Sequence, residues 1–261
     1  MRPAVYRCAL AFVASCYSPA PITGAPCIPE RGNCPSGQTC ELVAGTHVCV
    51  GEAGLDAIPA RPWTLVQTRA SSNQRRVSIA ASGAAHLIVV AVETNASAVA
   101  SVTDDAGNTY VPIAESRAAV AAGSFGVELW YAASSNAGAT TISATADVIY
   151  AMAAWEVAGI RTTNPLDTAS KLDDQPPTTT PLGASITTSA DGEFVVSVVI
   201  VSNEISGLTA GSPFTNDHRA FGNGWAHLTS AAAPAGTYQA RWDQPDGGSS
   251  CAASAAFFVG P

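Results

Sequence analysis

VSIAASGAAHLIVVAVE (residues 77–93) and ASITTSADGEFVVSVVI (184–200) decide the fold, because they align with each other without a gap. Each begins with a short alternating run, passes a turn rich in small residues, and ends in a long apolar run rich in valine. β-Branched residues in such runs, bounded by turn formers, read as strands. Two further blocks recur in the same order. LWYAASSNAGATTISA (129–144) aligns with LTSAAAPAGTYQAR (228–241) through a shared Ala-Gly turn at 137–138 and 235–236, and YAMAAWEVAG (150–159) aligns with CAASAAFFVG (251–260). Three blocks in one order imply an internal duplication of roughly 100 residues. In this alignment Tyr150 and Cys251 take equivalent places, which gives the thiol a packing role.

Outward from these blocks, residues 63–261 form a series of short strand-like runs, among them WTLVQTRA, NTYVPI, GVELWYAA, TYQARW and AAFFVG. DDAGN, SNAG, ADG, PAG and PDGG separate them. Sustained helical periodicity with caps is absent. The expected fold is all-β: a jelly-roll-like β-sandwich built from the duplication, with two sheets facing each other. The block VTDDAGNTYVPI, LWYA, TTISA, AAWEVAGI, PLD resembles a large group of secreted bacterial jelly-roll domains of uncharacterised activity. That resemblance implies fold and address, and brings no catalytic residues.

The chain has 261 residues, 47% hydrophobic and 12% charged, with a formal net charge of −8. This is the composition of a globular protein, and the acidic balance without a basic stripe argues against nucleic acid as a partner. Residues 1–15, MRPAVYRCALAFVAS, carry Arg2 and Arg7 ahead of an apolar run far shorter than the ~20 residues a membrane span needs. Val13-Ala14-Ser15-Cys16 follows. It resembles the bacterial lipobox, in which an aliphatic and two small residues precede a required cysteine. The resemblance implies cleavage before Cys16 and acylation of its sulfur, so that lipid chains anchor the domain to a membrane. Tyr17 in place of Asp implies export to the outer membrane or cell surface. An ordinary secretory signal cut after Ala20, or a buried first helix, are the competing readings.

Cys27, Cys34, Cys40 and Cys49 crowd into residues 27–50 with spacing C-x6-C-x5-C-x8-C, after a tether at 16–26 and before a linker at 51–62. So short a segment needs covalent staples, and an exported chain favours disulfides. Three pairings are possible. Interlaced bridges suit small loops, so the expected one is Cys27–Cys40 with Cys34–Cys49. A zinc site would use closer cysteine pairs. The pattern resembles the EGF-like or Dickkopf-like modules of bacterial surface lipoproteins, which implies a stiff spacer.

Motifs for chemistry are sparse. G-x-S-x-G and H-E-x-x-H are absent. Glu93, Glu128 and Glu156 stand singly on strands, whereas sandwich glycosidases pair their acids. Asp104, Asp105 and Asn108 in one turn are candidate calcium ligands, since calcium takes several oxygens; the same residues are also turn formers. NDHRAFGNGWAH (216–227) is the most polar-aromatic loop. Asp217, His218, Arg219, Asn223 and Trp225 are its candidate ligand-binding residues, since glycan sites combine aromatic platforms with amides and charges. The competing reading is a solvated loop with Trp225 in the core. The expected role is non-catalytic: cell-surface recognition, adhesion or envelope structure, with a glycan or a surface protein as partner and no cofactor unless calcium binds. A carbohydrate-binding module is the alternative, and a glycoside hydrolase-like enzyme the third reading.

Overall fold

The computed structural model describes residues 27–28, 34, 38–43, 46–51, 62–120 and 124–260. The expected signal peptide, Cys16, the tether and nearly all of the linker lie outside the described residues. The chain divides into two compact units, Met1–Ile58 and Pro59–Pro261.

In the first unit, β1 (Gln38–Val43) and β2 (Thr46–Gly51) form an antiparallel hairpin that sets Cys40 opposite Cys49. Each cysteine reaches back to the segment before the hairpin. Cys40 bonds Cys27 and Cys49 bonds Cys34, with Cα atoms 5.8 and 5.4 Å apart. This is the interlaced pairing. One bridge leaves each strand, so together they tie both strands of the hairpin to Cys27 and Cys34.

The second unit is all-β. Its first repeat runs β3 (Thr64–Ser72), β4 (Arg76–Ser78), β5 (Leu87–Thr94), β6 (Ser101–Asp104), β7 (Val111–Pro112), β8 (Ala118–Ala119), β9 (Gly126–Ala132), β10 (Thr141–Thr145) and β11 (Ile149–Ala158). The second runs β12 (Leu166–Thr178), β13 (Ile186–Thr187), β14 (Phe194–Val201), β15 (Gly207–Leu208), β16 (Phe214–His218), β17 (Gly224–Leu228), β18 (Thr237–Tyr238), β19 (Trp242–Asp243) and β20 (Gly248–Phe257). The main sheets are ordered β3-β11-β5-β9-β7 and β12-β20-β14-β17-β16. Along these paths the orders match, which is the duplication written in topology; the first sheet adds β8, which also pairs with β9.

These main sheets face each other. Leu87, Val89, Trp155, Phe194, Val198 and Phe257 are among the buried residues of their shared core. Each sheet also carries a second core on its outer face. In the first repeat, Ile88, Val90 and Val92 pack against β4, β10 and β6. In the second, Val195, Val199 and Val201 pack with Ile186 and Trp242 from the short β13–β18 and β15–β19 pairs. Four layers result, and the central strands are buried on both faces. That is why β5 and β14 read as continuous apolar runs rather than as alternating ones.

At the seam the repeats meet at matching residues. Ile160 pairs with Val259 antiparallel, and Gly260 N donates to Gly159 O at 2.7 Å. Copies related by an approximate two-fold axis meet in this way.

One alignment shifts by a residue. Ala151 lies opposite Glu93 and Cys251 lies opposite Ile200. Glu93 and Ile200 are equivalent in the gap-free block, so Cys251 matches Ala151 and not Tyr150. Tyr150 occupies the register break between Ile149 and Ala151, an extra residue that a gap-free alignment cannot show. Ala151 and Cys251 are both fully buried in the seam, so the packing role of the thiol stands.

Candidate functional site

The 216–227 stretch folds as β16, a 3-10 turn at Ala220–Gly222 and β17. It lies against the first repeat, and most of its polar groups are spent there. Asp217 sits at the register break between Asn216 and His218, which re-aims its side chain. Its carboxylate accepts from Trp155 Nε1 at 2.7 Å and from His227 Nδ1 at 2.8 and 3.0 Å. The His227 ring lies edge-on to Trp63, with centroids 5.8 Å apart, and near-parallel to Phe194 at 6.2 Å.

His218 Nε2 is 3.0 Å from Thr68 Oγ1 on β3. Burial lowers the pKa of His218, and the Asp217 charge opposes that shift. Arg219 Nη1 donates to Ser206 O at 2.7 Å, and this residue stays exposed. Trp225 is fully buried, its Nε1 directed at Ala220 O, so its ring offers no face to a ligand in solvent.

Asn223 is fully buried as well. Its Oδ1 accepts from Val201 N at 2.9 Å and its Nδ2 donates to Glu93 Oε2 at 2.7 Å. Glu93 lies on the seam face of β5, two residues beyond Ala91, and desolvation raises its pKa to about 8. The aromatic at the surface of this stretch is Phe221, which is 45% exposed. It stacks on Tyr150 at 5.4 Å and 11°, and its backbone N donates to Ser72 Oγ at 3.1 Å. Its φ of 54° is a left-handed conformation that a bulky residue rarely adopts.

An imidazole whose Nδ1 donates to a carboxylate has the orientation of a general base. Here the arrangement stops at that pair. Among the described residues no Ser, Thr or Cys hydrogen-bonds His227, and aromatic rings flank it. The three acids singled out in sequence go to separate places. Glu93 meets Asn223. Glu128 accepts from Val99 N at 3.2 Å and pairs with Arg117 at 3.0 Å. Glu156 accepts from Gln67 Nε2, His86 Nδ1 and Gly83 N at 2.6 to 2.7 Å.

The Asp104–Asn108 turn is closed by its own donors. Asp104 accepts from Ala106 N, Asn108 N, Asn108 Nδ2 and Tyr110 OH at 2.6 to 3.0 Å. Asp105 accepts from Thr140 N, Thr140 Oγ1 and Thr141 N, and these bonds lower its pKa to about 2. Asn108 Oδ1 accepts from Asn136 N. A cation at this turn would compete with those donors for the same oxygens. Among the described residues the group of three metal-type ligands that converges is Cys27, Cys34 and Cys40. Their sulfurs are in disulfides and so lack the thiolates zinc requires.

No protein-family model, curated protein or solved structure matches the chain.

Trp155, His227 and Thr68 were not singled out from the sequence as partners of this stretch; Trp155 lies 62 residues from Asp217 and Thr68 lies 150 from His218. Glu93 did carry a signal: it interrupts an otherwise apolar strand where the second copy has Ile200. Such a break marks a buried acid whose partner must come from elsewhere in the fold.

Proposed function

We propose that this chain is an exported, lipid-anchored surface protein whose paired repeats form a rigid, non-catalytic module for recognition, adhesion or envelope structure. One observation carries the reading. The side chains best suited to chemistry, Asp217, His227, Glu93 and Asn223, bond one another and Trp155 inside the seam between the repeats. Groups used in this way rigidify a scaffold. Paired cysteines support passage through an oxidising compartment, and Val13–Cys16 supports lipid attachment. An EGF-like or Dickkopf-like stapled module would then act as a spacer between membrane and sandwich.

The test uses the full chain expressed in a bacterial host. Wild type should partition into detergent with a lipid-bearing Cys16, and Cys16→Ala should partition as a water-soluble protein. That variant, incubated with isolated envelopes, peptidoglycan and polysaccharides, should bind one of them saturably and release no product. Turnover of any of these materials would overturn the non-catalytic reading.

A glycan-binding reading has one observation of its own, the exposed Phe221 stacked on Tyr150 beside Arg219. Saturable binding to a defined glycan that is lost in Phe221→Ala would select it.

A further inference from the structure

The seam is asymmetric where the repeats should be alike. Glu93 is paired with Val127 in the first repeat, and the position equivalent to Glu93 in the second is Ile200. Asn223, next to the Gly224 that pairs with Val199, takes the place that matches Val127. Each repeat therefore contributes one polar and one apolar residue, and the two polar ones meet across the seam at 2.7 Å.

We propose that the Glu93–Asn223 pair is a pH-sensitive latch between the repeats: the neutral carboxyl keeps the seam closed, and its ionisation opens it. A carboxylate offers about four lone-pair sites, and among the described residues Asn223 is the donor that the seam supplies to Glu93. Beside it on its own sheet stand Ala151 of β11 and Val127 of β9, neither of which can donate or carry charge. Across the seam, Cys251 of β20 is the titratable neighbour; burial, Glu93 and Asp173 of β12 all raise its pKa. Nothing in this set compensates a negative charge. An ionised Glu93 calls for water or further donors, and at 2% exposure the closed seam brings it little water. Burial accordingly places the titration near pH 8, against an ordinary value of 4.5.

Cys251 is fully buried in the same seam and reports its opening. The experiment alkylates the full chain with iodoacetamide, reads the Cys251 peptide by mass spectrometry, and divides the wild-type rate by that of Glu93→Gln at each pH. Gln keeps the acceptor for Asn223 and cannot ionise, and the ratio cancels the intrinsic ionisation of the thiol. The exposed carboxyl ionises near 4.5 and the buried one near 8, so the ratio should climb through this window, by roughly tenfold or more from about pH 6 to about pH 8, and level off above it. Hydrogen exchange at about pH 9 should increase on the seam strands while β4, β10 and β6 stay protected. If Glu93→Gln does not fold, Glu93→Ile with Asn223→Val serves as reference, since it installs the residues that each repeat's counterpart already carries. A flat ratio overturns the latch. So does a rising ratio with exchange increasing equally in every sheet, because that is global unfolding.

Discussion

Trp155 Nε1, in the first repeat, donates a 2.7 Å hydrogen bond to Asp217 Oδ2 in the second, and Asp217 in turn holds Nδ1 of His227. By strand pairing, the position equivalent to Trp155 is Ala255: Trp155 lies opposite Val89, and Ala255 opposite the equivalent Val196. One copy therefore carries a large ring where the other carries a small residue, and the ring reaches across to Asp217.

Trp155→Ala should cost about 3–5 kcal/mol, from lost apolar burial and the cavity left behind. Trp155→Phe keeps most of the ring and removes one donor from a buried carboxylate, so it should cost about 1–3 kcal/mol. Urea denaturation midpoints of both variants check the order. Equal losses would mean that the ring adds nothing beyond its hydrogen bond, and an unchanged midpoint for Trp155→Phe would mean that the hydrogen bond adds nothing.

Acid should weaken the 104–141 corner through Asp105. Its pKa is lowered from 3.8 to about 2 by Thr140 and Thr141, so its contribution is complete above the unfolded value and disappears as pH falls through the folded one. Asp105→Asn accepts fewer hydrogen bonds and does not titrate. The stability gap between wild type and this variant should narrow as pH drops from about 4 to about 2. Thermal melts at several pH values would show it, and a gap independent of pH would refute it.

Reduction should separate the two compact units in their response. The bridges close loops with separations of 13 and 15 residues, each contributing about 3 kcal/mol in the chain-entropy model. Under reductant, hydrogen exchange at 38–51 should rise to that of an open chain, while residues 64–257, which contain no disulfide, should keep their protection. Loss of protection in both would contradict independent folding.

Gly224→Ala should destabilise the second repeat. A Cβ at this position would lie 2.5 Å from Cε3 and Cζ3 of Trp242, a fully buried ring of the outer core. Overpacking of this kind costs about 1–3 kcal/mol. Calorimetry should show a lower melting temperature, and an unchanged value would mean that the ring moves freely.

The sequence by itself determined the all-β class, the duplication and the stapling of the cysteine module. These are written locally: in the apolar runs at 87–94 and 194–201, in turn residues, and in cysteine spacing. The Ala-Gly turns at 137–138 and 235–236 align because strand pairing preserves them. In contrast, the bulge at Tyr150 moved the match of Cys251 by one residue, since an inserted residue leaves no mark in an alignment without gaps. Tertiary structure alone decided the partners of 216–227. Glu93 and Asn223 are separated by 130 residues and Thr68 and His218 by 150. Periodicity shows which face of a strand is buried, whereas the meeting of two polar groups depends on how one sheet is set upon another. The most polar loop of the chain thus became the fastening between its two halves, because a buried hydrogen-bonding group must find a partner wherever packing puts one.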